Sequence, residues 1–508
     1  MPHRAGGIAG TIKSGVTMTN CVNYGPVYDY QESCANASKL SIGGVTGAID
    51  GDNCVITNCA NYGDVYSKAP NVLYIGGVIG KGAYISTITS CVNEGTVTND
   101  ASAYFDQSAS TSYAIHIGGV IADALASGIV IDKCTNKGMV TLSNVITPTG
   151  FGLGIGGVIG YSNVNTTIKG CRNEGFVGPS NVTTGNPLAV GGILGYVTSS
   201  CVVTITKSDD GTETVNTGDF TQKVDYGNTI YIGGIVGRNN SSSATPQVIE
   251  YARNEGPITT NSKQTAKKGI YIGGICGGSV IMKYSNCVNT GNITTGSSNN
   301  NPTFYVGGIS GASTNSAKVG KEMISCVSNC TINVTKGAAA SRVGGLCSGF
   351  DVVNCKVQDC EVAGTFRVSR GTTVSAGTLS GYCEVNTGAT DINAFEGCTI
   401  TADMKFSGAC WGRSSVEGEE PTASNAGILI GQFGGEAGAG VLNIGSTESP
   451  VSVQMGKTIE QTDTGRFATI TLNNTPGDYG YYKNYLTGNI IDTDPYAGKI
   501  VWNTVAAE

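Results

Sequence analysis

Apolar residues in this chain come in short bursts of four to seven, rich in Val, Ile and Thr, and each burst is closed by Gly or Asn; Ile85-Ser86-Thr87-Ile88-Thr89-Ser90 is representative. Those are strand lengths and strand residues. No stretch of helical length carries apolar residues at i, i+3, i+4 and i+7, so the crossover helices of an α/β fold are missing. The bursts recur in a fixed order. Gly-Gly pairs begin at Gly6, Gly43, Gly76, Gly118, Gly156, Gly191, Gly233, Gly273, Gly307 and Gly344, a period of roughly 37 residues, which falls in the range of solenoids and propellers. Their surroundings repeat as well: Ile75 to Gly80 and Ile155 to Gly160 both read IGGVIG, Ile232 to Gly237 reads IGGIVG, and weaker copies stand at Ala376 to Gly381 and Ala426 to Gly431.

A second block, Cys-x-Asn-x-Gly, follows most glycine pairs: Cys21 to Gly25, Cys59 to Gly63, Cys91 to Gly95, Cys134 to Gly138, Cys171 to Gly175 and Cys287 to Gly291, with Ala252 replacing Cys before Gly256. Asn and Gly tolerate left-handed backbone angles, so this block is expected at a corner between two faces. Asn23, Asn61, Asn93, Asn136, Asn173 and Asn289 then stack as an amide ladder, and Cys21, Cys59, Cys91, Cys134, Cys171 and Cys287 as an inward column of thiols. Propellers close with four to eight blades of four strands. About twelve units of two or three strands fit an open solenoid better. The expected fold is all-β: a single right-handed parallel β-helix of about twelve coils over 1–440, regular over 5–365 and degenerate over 366–440, with a β-rich cap over 441–508. Phe467 to Leu472 and Tyr479 to Tyr485 supply the cap's strands. Coils stacking at ~4.8 Å would build a rod on the order of 55–60 Å long.

Composition narrows the partners. Glycine numbers 76 in 508 residues while charged residues make only 13%, a balance suited to an extracellular all-β protein. The net charge is −7 and no basic run exceeds Lys267-Lys268, which argues against nucleic acid. No apolar run reaches the ~20 residues of a membrane helix. No signal peptide is visible, and repeat consensus starts at Ala5, so upstream sequence carrying any signal or anchor is expected. The 18 cysteines are expected as reduced thiols, because a column of identical neighbours gives no unique pairing, although coil spacing does not forbid bridges. With two histidines, His3 and His116, and no tight C-x-x-C pair, no metal site or cofactor is implied.

The glycine motif followed by Cys-x-Asn-x-Gly-x-Val resembles the GLUG-type repeat of bacterial surface proteins, well over 5–365, weakly over 366–431 and not over 441–508. The resemblance implies a secreted or cell-surface, adhesin-like solenoid of the kind found in gut Bacteroidetes, and an anaerobic setting suits unpaired cysteines. Related arrays accompany metallopeptidases, whose His-Glu-x-x-His motif is absent here, so no catalytic role carries over.

Catalysis on glycans calls for two carboxylates about 5–9.5 Å apart. Asp123 and Asp132 fall in one coil, while Glu94 and Glu174 share a register with Lys137 between them, as Glu174 and Glu255 share one further along. Solvated turn residues are the plainer reading. Asp209-Asp210-Gly211 reads as a hairpin turn. Binding has better material. Thirteen residues separate Gly63 from Gly76 but 23 separate Gly95 from Gly118, and the longer loop holds Tyr104, Phe105 and Tyr113. Two residues before the glycine pair stand Tyr74, His116, Gly154, Ala189, Tyr231, Tyr271 and Tyr305, so three consecutive coils offer tyrosine, either as a platform for sugar rings or as a stack that stabilises the sheet. The sequence thus points to a non-enzymatic extracellular repeat protein, adhesin-like or a stalk, contacting glycans or host surface proteins. A glycan-active β-helix enzyme and a pure spacer are the alternatives.

Overall fold

In the computed structural model the described residues run from His3 to Asn503; the longest stretches outside them are 31–39, 101–114, 312–320, 386–391, 408–424, 436–441, 462–468 and 472–499, with shorter gaps between. Every named element among them is a strand. The strands stack as a parallel β-solenoid, and one coil illustrates the rest. The chain runs along a glycine face (Leu73–Gly76), bends at Gly77, follows a second face (Ile79–Gly82) and a third (Ser86–Thr89), turns through a two-residue strand (Val92–Asn93) and leaves along a fourth face (Val97–Asp100). The coil therefore carries four faces and an extra corner strand rather than the two or three strands expected.

Register is the organising fact. Ile42, Ile75, Ile117, Ile155, Val190, Ile232, Ile272, Val306 and Val343 pair in succession, each with its equivalent in the next coil. A parallel ladder puts like residues over like, so these side chains form a continuous column in a single core. The glycine and third faces each contain twelve strands, but the second face is regular for eight, after which bridges through Ser310 and Cys347 lead to a three-stranded sheet. The solenoid is thus fully regular for about eight turns, fewer than the copies of the glycine motif.

The corner before the amide block is built differently from expectation. Left-handed angles fall on the residue preceding the cysteine position: Asn20, Asn58, Ser90, Lys133, Gly170, Tyr251, Asn286, Ser325, Asp359 and Gly397, with φ between 51° and 60°. The asparagine and glycine of the block are not among the positive-φ residues. Glycine at the end of the block answers a steric demand instead. A Cβ on Gly95 would fall on the carbonyl of Gly63 in the coil beneath, so two backbones approach where no side chain fits.

Within 441–508, Leu442–Ile444, Val451–Gln454 and Thr458–Gln461 still stack in parallel on the preceding coil. Thr469–Thr471, inside the FATITL segment, folds back antiparallel on Thr458–Gln461, and Ile500–Asn503 pairs in parallel with Val451–Gln454. Tyr479 to Tyr485 lies outside the described residues. The Asp209-Asp210-Gly211 turn closes with the Gly211 N–H on the Ser208 carbonyl, but Val203–Thr206 and Thr214–Asn216 belong to different sheets, so it joins two faces rather than a hairpin.

Candidate functional site

The asparagine at the amide corner points inward and is buried in every regular coil. Asn23 donates from Nδ2 to Asn61 Oδ1 at 2.8 Å, Asn61 to Asn93 at 2.9 Å, Asn93 to Asn136 at 2.8 Å, and Asn136 to Asn173 at 2.8 Å. The chain of amides continues through Asn216 and Asn254 to Asn289, again at 2.8 Å per step. The second N–H of each amide from Asn23 to Asn254 donates to the glycine carbonyl two residues on, for instance Asn136 to Gly138 at 2.8 Å. Asn289 closes the ladder on Cys330 Sγ at 3.2 Å, because Ser328 stands where the next asparagine would be. Asn254 belongs to the copy in which Ala252 replaces cysteine, and Asn216 to one in which Thr214 does; Asn-x-Gly by itself marks both. The second glycine of the Gly-Gly pair makes room for this ladder and for the next coil: a Cβ on Gly77, Gly119 or Gly157 would strike the carbonyl of Gly119, Gly157 or Gly192 and the amide of Asn93, Asn136 or Asn173 in the same coil.

Cysteine occupies the neighbouring inward position. The cysteines whose side chains are described, from Cys21 to Cys398, are free thiols. Cys59, Cys91, Cys134 and Cys171 each place Sγ 3.5–3.6 Å from a carbonyl of the coil below. A hydrogen bond that the Cys91 thiol donates to Cys134, together with burial, pushes Cys91 up, and burial does the same to Cys134. Burial pushes Cys201 and Cys330 up to about 11. Thiols that hold their protons this firmly are poor nucleophiles and poor metal ligands.

Tyr231, Tyr271 and Tyr305 do stack, with centroids 4.9 Å and 4.5 Å apart and planes within 13°. Tyr231 is part of the packing, whereas Tyr271 and Tyr305 are half-buried. Tyr231 is only 5% exposed, and the Arg238 guanidinium lies 4.5 Å from its ring centroid while donating to Tyr196 Oη at 3.2 Å. At the other end Arg342 sits 5.8 Å from the Tyr305 ring and 3.9 Å from that of Tyr382. In the same column His116 is buried, its Nδ1 2.9 Å from Asp123 Oδ2 and its ring stacked on Tyr161 at 3.8 Å. Asp123 Oδ1 is buried without a hydrogen-bond partner.

The carboxylates weighed for catalysis are dispersed or engaged. Asp123 lies on the second face and Asp132 on the third. Lys137 Nζ meets Glu94 Oε1 at 2.8 Å, Arg172 Nε meets Glu174 Oε1 at 2.6 Å, and Arg253 Nε lies 3.7 Å from Glu255 Oε1. Asp209 and Asp210 pair with Lys169 and Lys133 at 2.9 Å and 2.8 Å. No group of three or more metal-ligating side chains converges among the described residues. The loop residues Tyr104, Phe105 and Tyr113 lie outside the described residues.

Exposed aromatic surface gathers elsewhere, on the first two coils. Tyr24 is 76% exposed and stacks on Tyr62 at 5.1 Å with planes 9° apart. Tyr28, Tyr30 and Tyr66 form a second cluster at the fourth face of the same two coils, with centroids 5.6–6.4 Å apart. The sequence signal was present, since Tyr24 and Tyr62 share the position before the block glycine, and Tyr28 and Tyr66 follow it at equal spacing. The run is only two coils long, too short to stand out as a period. No known protein family, curated protein or solved structure matches the chain.

Proposed function

We propose that this protein is a non-enzymatic repeat rod of the cell exterior, adhesin-like, that holds a carbohydrate-binding surface at a fixed place along its axis. The observation that carries the reading is the exposed tyrosine cluster on coils one and two. Large apolar groups left in water on a well-packed protein mark contact sites, and tyrosine combines an apolar ring with a hydroxyl that can bond to sugar hydroxyls. The axial ladders support the scaffold half of the reading, because each coil is tied to the next through buried amides and continuous core columns. The likeness to GLUG-type surface repeats and the low-charge, glycine-rich composition favour the extracellular setting. An enzymatic reading is less well supported, since the acids considered for it are spread over different faces or engaged by Lys and Arg.

The test is retention of the whole chain on immobilised plant and host polysaccharides, run beside an assay for new reducing ends. Retention without cleavage is expected. Depolymerisation that stops when one carboxylate is changed to its amide would move the protein to the enzymes. Absence of retention on all of them would leave only the spacer role.

A further inference from the structure

We infer that Tyr24, Tyr28, Tyr30, Tyr62 and Tyr66 form one binding surface for a neutral carbohydrate chain; this rests on the carbohydrate reading above and adds the site and the ligand class. Three observations bear on it. Register comes first: Tyr66 pairs directly with Tyr28 on the fourth face, and Val65 beneath them pairs with Val27, so both tyrosines stand outward from one column. Their placement follows from the backbone, and no induced rearrangement is needed to present them.

Exposure comes second. Tyr24, Tyr28, Tyr30 and Tyr62 are 76%, 47%, 64% and 45% exposed, whereas the stacked Tyr231 is 5% exposed beneath Arg238. Apolar ring faces of this kind receive the C–H faces of pyranoses, while the phenol hydroxyls bond to the sugar rim.

Charge comes third, and it selects the class. The amide corners and fourth-face strands of the first three coils carry Asp29, Asp64, Glu94 and Asp100; Lys137 of the next coil engages Glu94 at 2.8 Å, and Lys68 follows the second of these strands. Asp29 accepts from Ser67 Oγ at 3.1 Å and Asp64 accepts from the Thr96 N–H at 2.9 Å, so these carboxylates are held at the surface. Carboxylates accept hydrogen bonds from neutral sugar hydroxyls but repel uronate, sialate and sulfate groups.

Affinity electrophoresis of the whole chain separates the outcomes, using galactomannan, xyloglucan and mixed-linkage β-glucan as neutral probes and polygalacturonate and alginate as acidic ones. Tyr24→Ala/Tyr62→Ala and Tyr28→Ala/Tyr66→Ala are the test variants, and Tyr271→Ala/Tyr305→Ala is the control, with circular dichroism confirming that each retains its sheet. Retardation by at least one neutral probe is expected, weakened about tenfold or more in both test variants and within about twofold of wild type in the control. Neutral-probe binding that survives both test variants overturns the site while leaving the carbohydrate reading in place. Stronger retardation by the acidic probes overturns the neutral class. No retardation by any probe, or a dimer that dissociates in the test variants without glycan binding, overturns the inference and removes the support for the carbohydrate reading.

Discussion

Replacing Asn136 by alanine removes one rung from the middle of the amide ladder, and its cost follows from the bonds it breaks. Asn136 is 0% exposed. It accepts from Asn93, donates to Asn173 and donates to the Gly138 carbonyl, each at 2.8 Å. Alanine orphans one N–H of Asn93 and the amide oxygen of Asn173, both in the dry interior. A buried polar group without a partner costs about 1–3 kcal/mol, so the two together cost about 2–6 kcal/mol. The orphaned Gly138 carbonyl and the space left by the amide add to that figure. Because coils contact only their neighbours, the damage should be local, which makes amide hydrogen exchange a better probe than a single melting curve. Protection should fall most at Val92–Asn93 and Arg172–Asn173, on either side of the lesion, and fade two coils away. Asn289→Ala should cost less, since its outward bond goes to the weakly accepting Cys330 Sγ. If Asn136→Ala lost no more protection than Glu94→Ala on the exposed corner, the ladder would not be a source of stability.

Gly119→Ala should prevent the regular coil from forming, because its Cβ would strike the Asn136 amide and the Gly157 carbonyl; Gly211→Ala, at φ 90° with nothing within 4 Å, should cost about 1 kcal/mol from backbone strain alone. Thermal denaturation of the pair tells steric from conformational cost. His116→Leu should destabilise by about 3–5 kcal/mol by stranding Asp123, which is 0% exposed, and the double variant with Asp123→Asn should recover much of it; equal losses in single and double variants would refute the pairing. Stability should also decline in alkali. The folded thiols of Cys201 and Cys330 are raised from 9.0 to about 11, so their contribution is complete below the unfolded value and is lost as pH rises from about 9 to about 11. Denaturant midpoints that stay flat across that window would contradict the buried-thiol assignment. Alkylation of the native chain should reach the partly exposed Cys21 before the buried Cys91 and Cys134.

What the sequence by itself determined was the main set of columns that arise from one coil lying over the next. The Gly-Gly period, the inward Ile and Val, the column of cysteines and the amides at Asn23 through Asn173 were all legible, because a parallel stack converts equal spacing along the chain into contact along the axis. Relations between faces within a coil were decided by the tertiary structure. Only there does the second glycine meet its own coil's asparagine, His116 find Asp123 seven residues on, and the left-handed angle settle on the residue before the cysteine. The two tyrosine sets show the same division. Spacing announced that Tyr231, Tyr271 and Tyr305 would stack and left the coil-one and coil-two tyrosines unremarked. Which rings stay in water was decided by how neighbouring faces and Arg238 close over them, burying Tyr231 and half-burying Tyr271 and Tyr305, and periodicity along a chain carries no record of that closure.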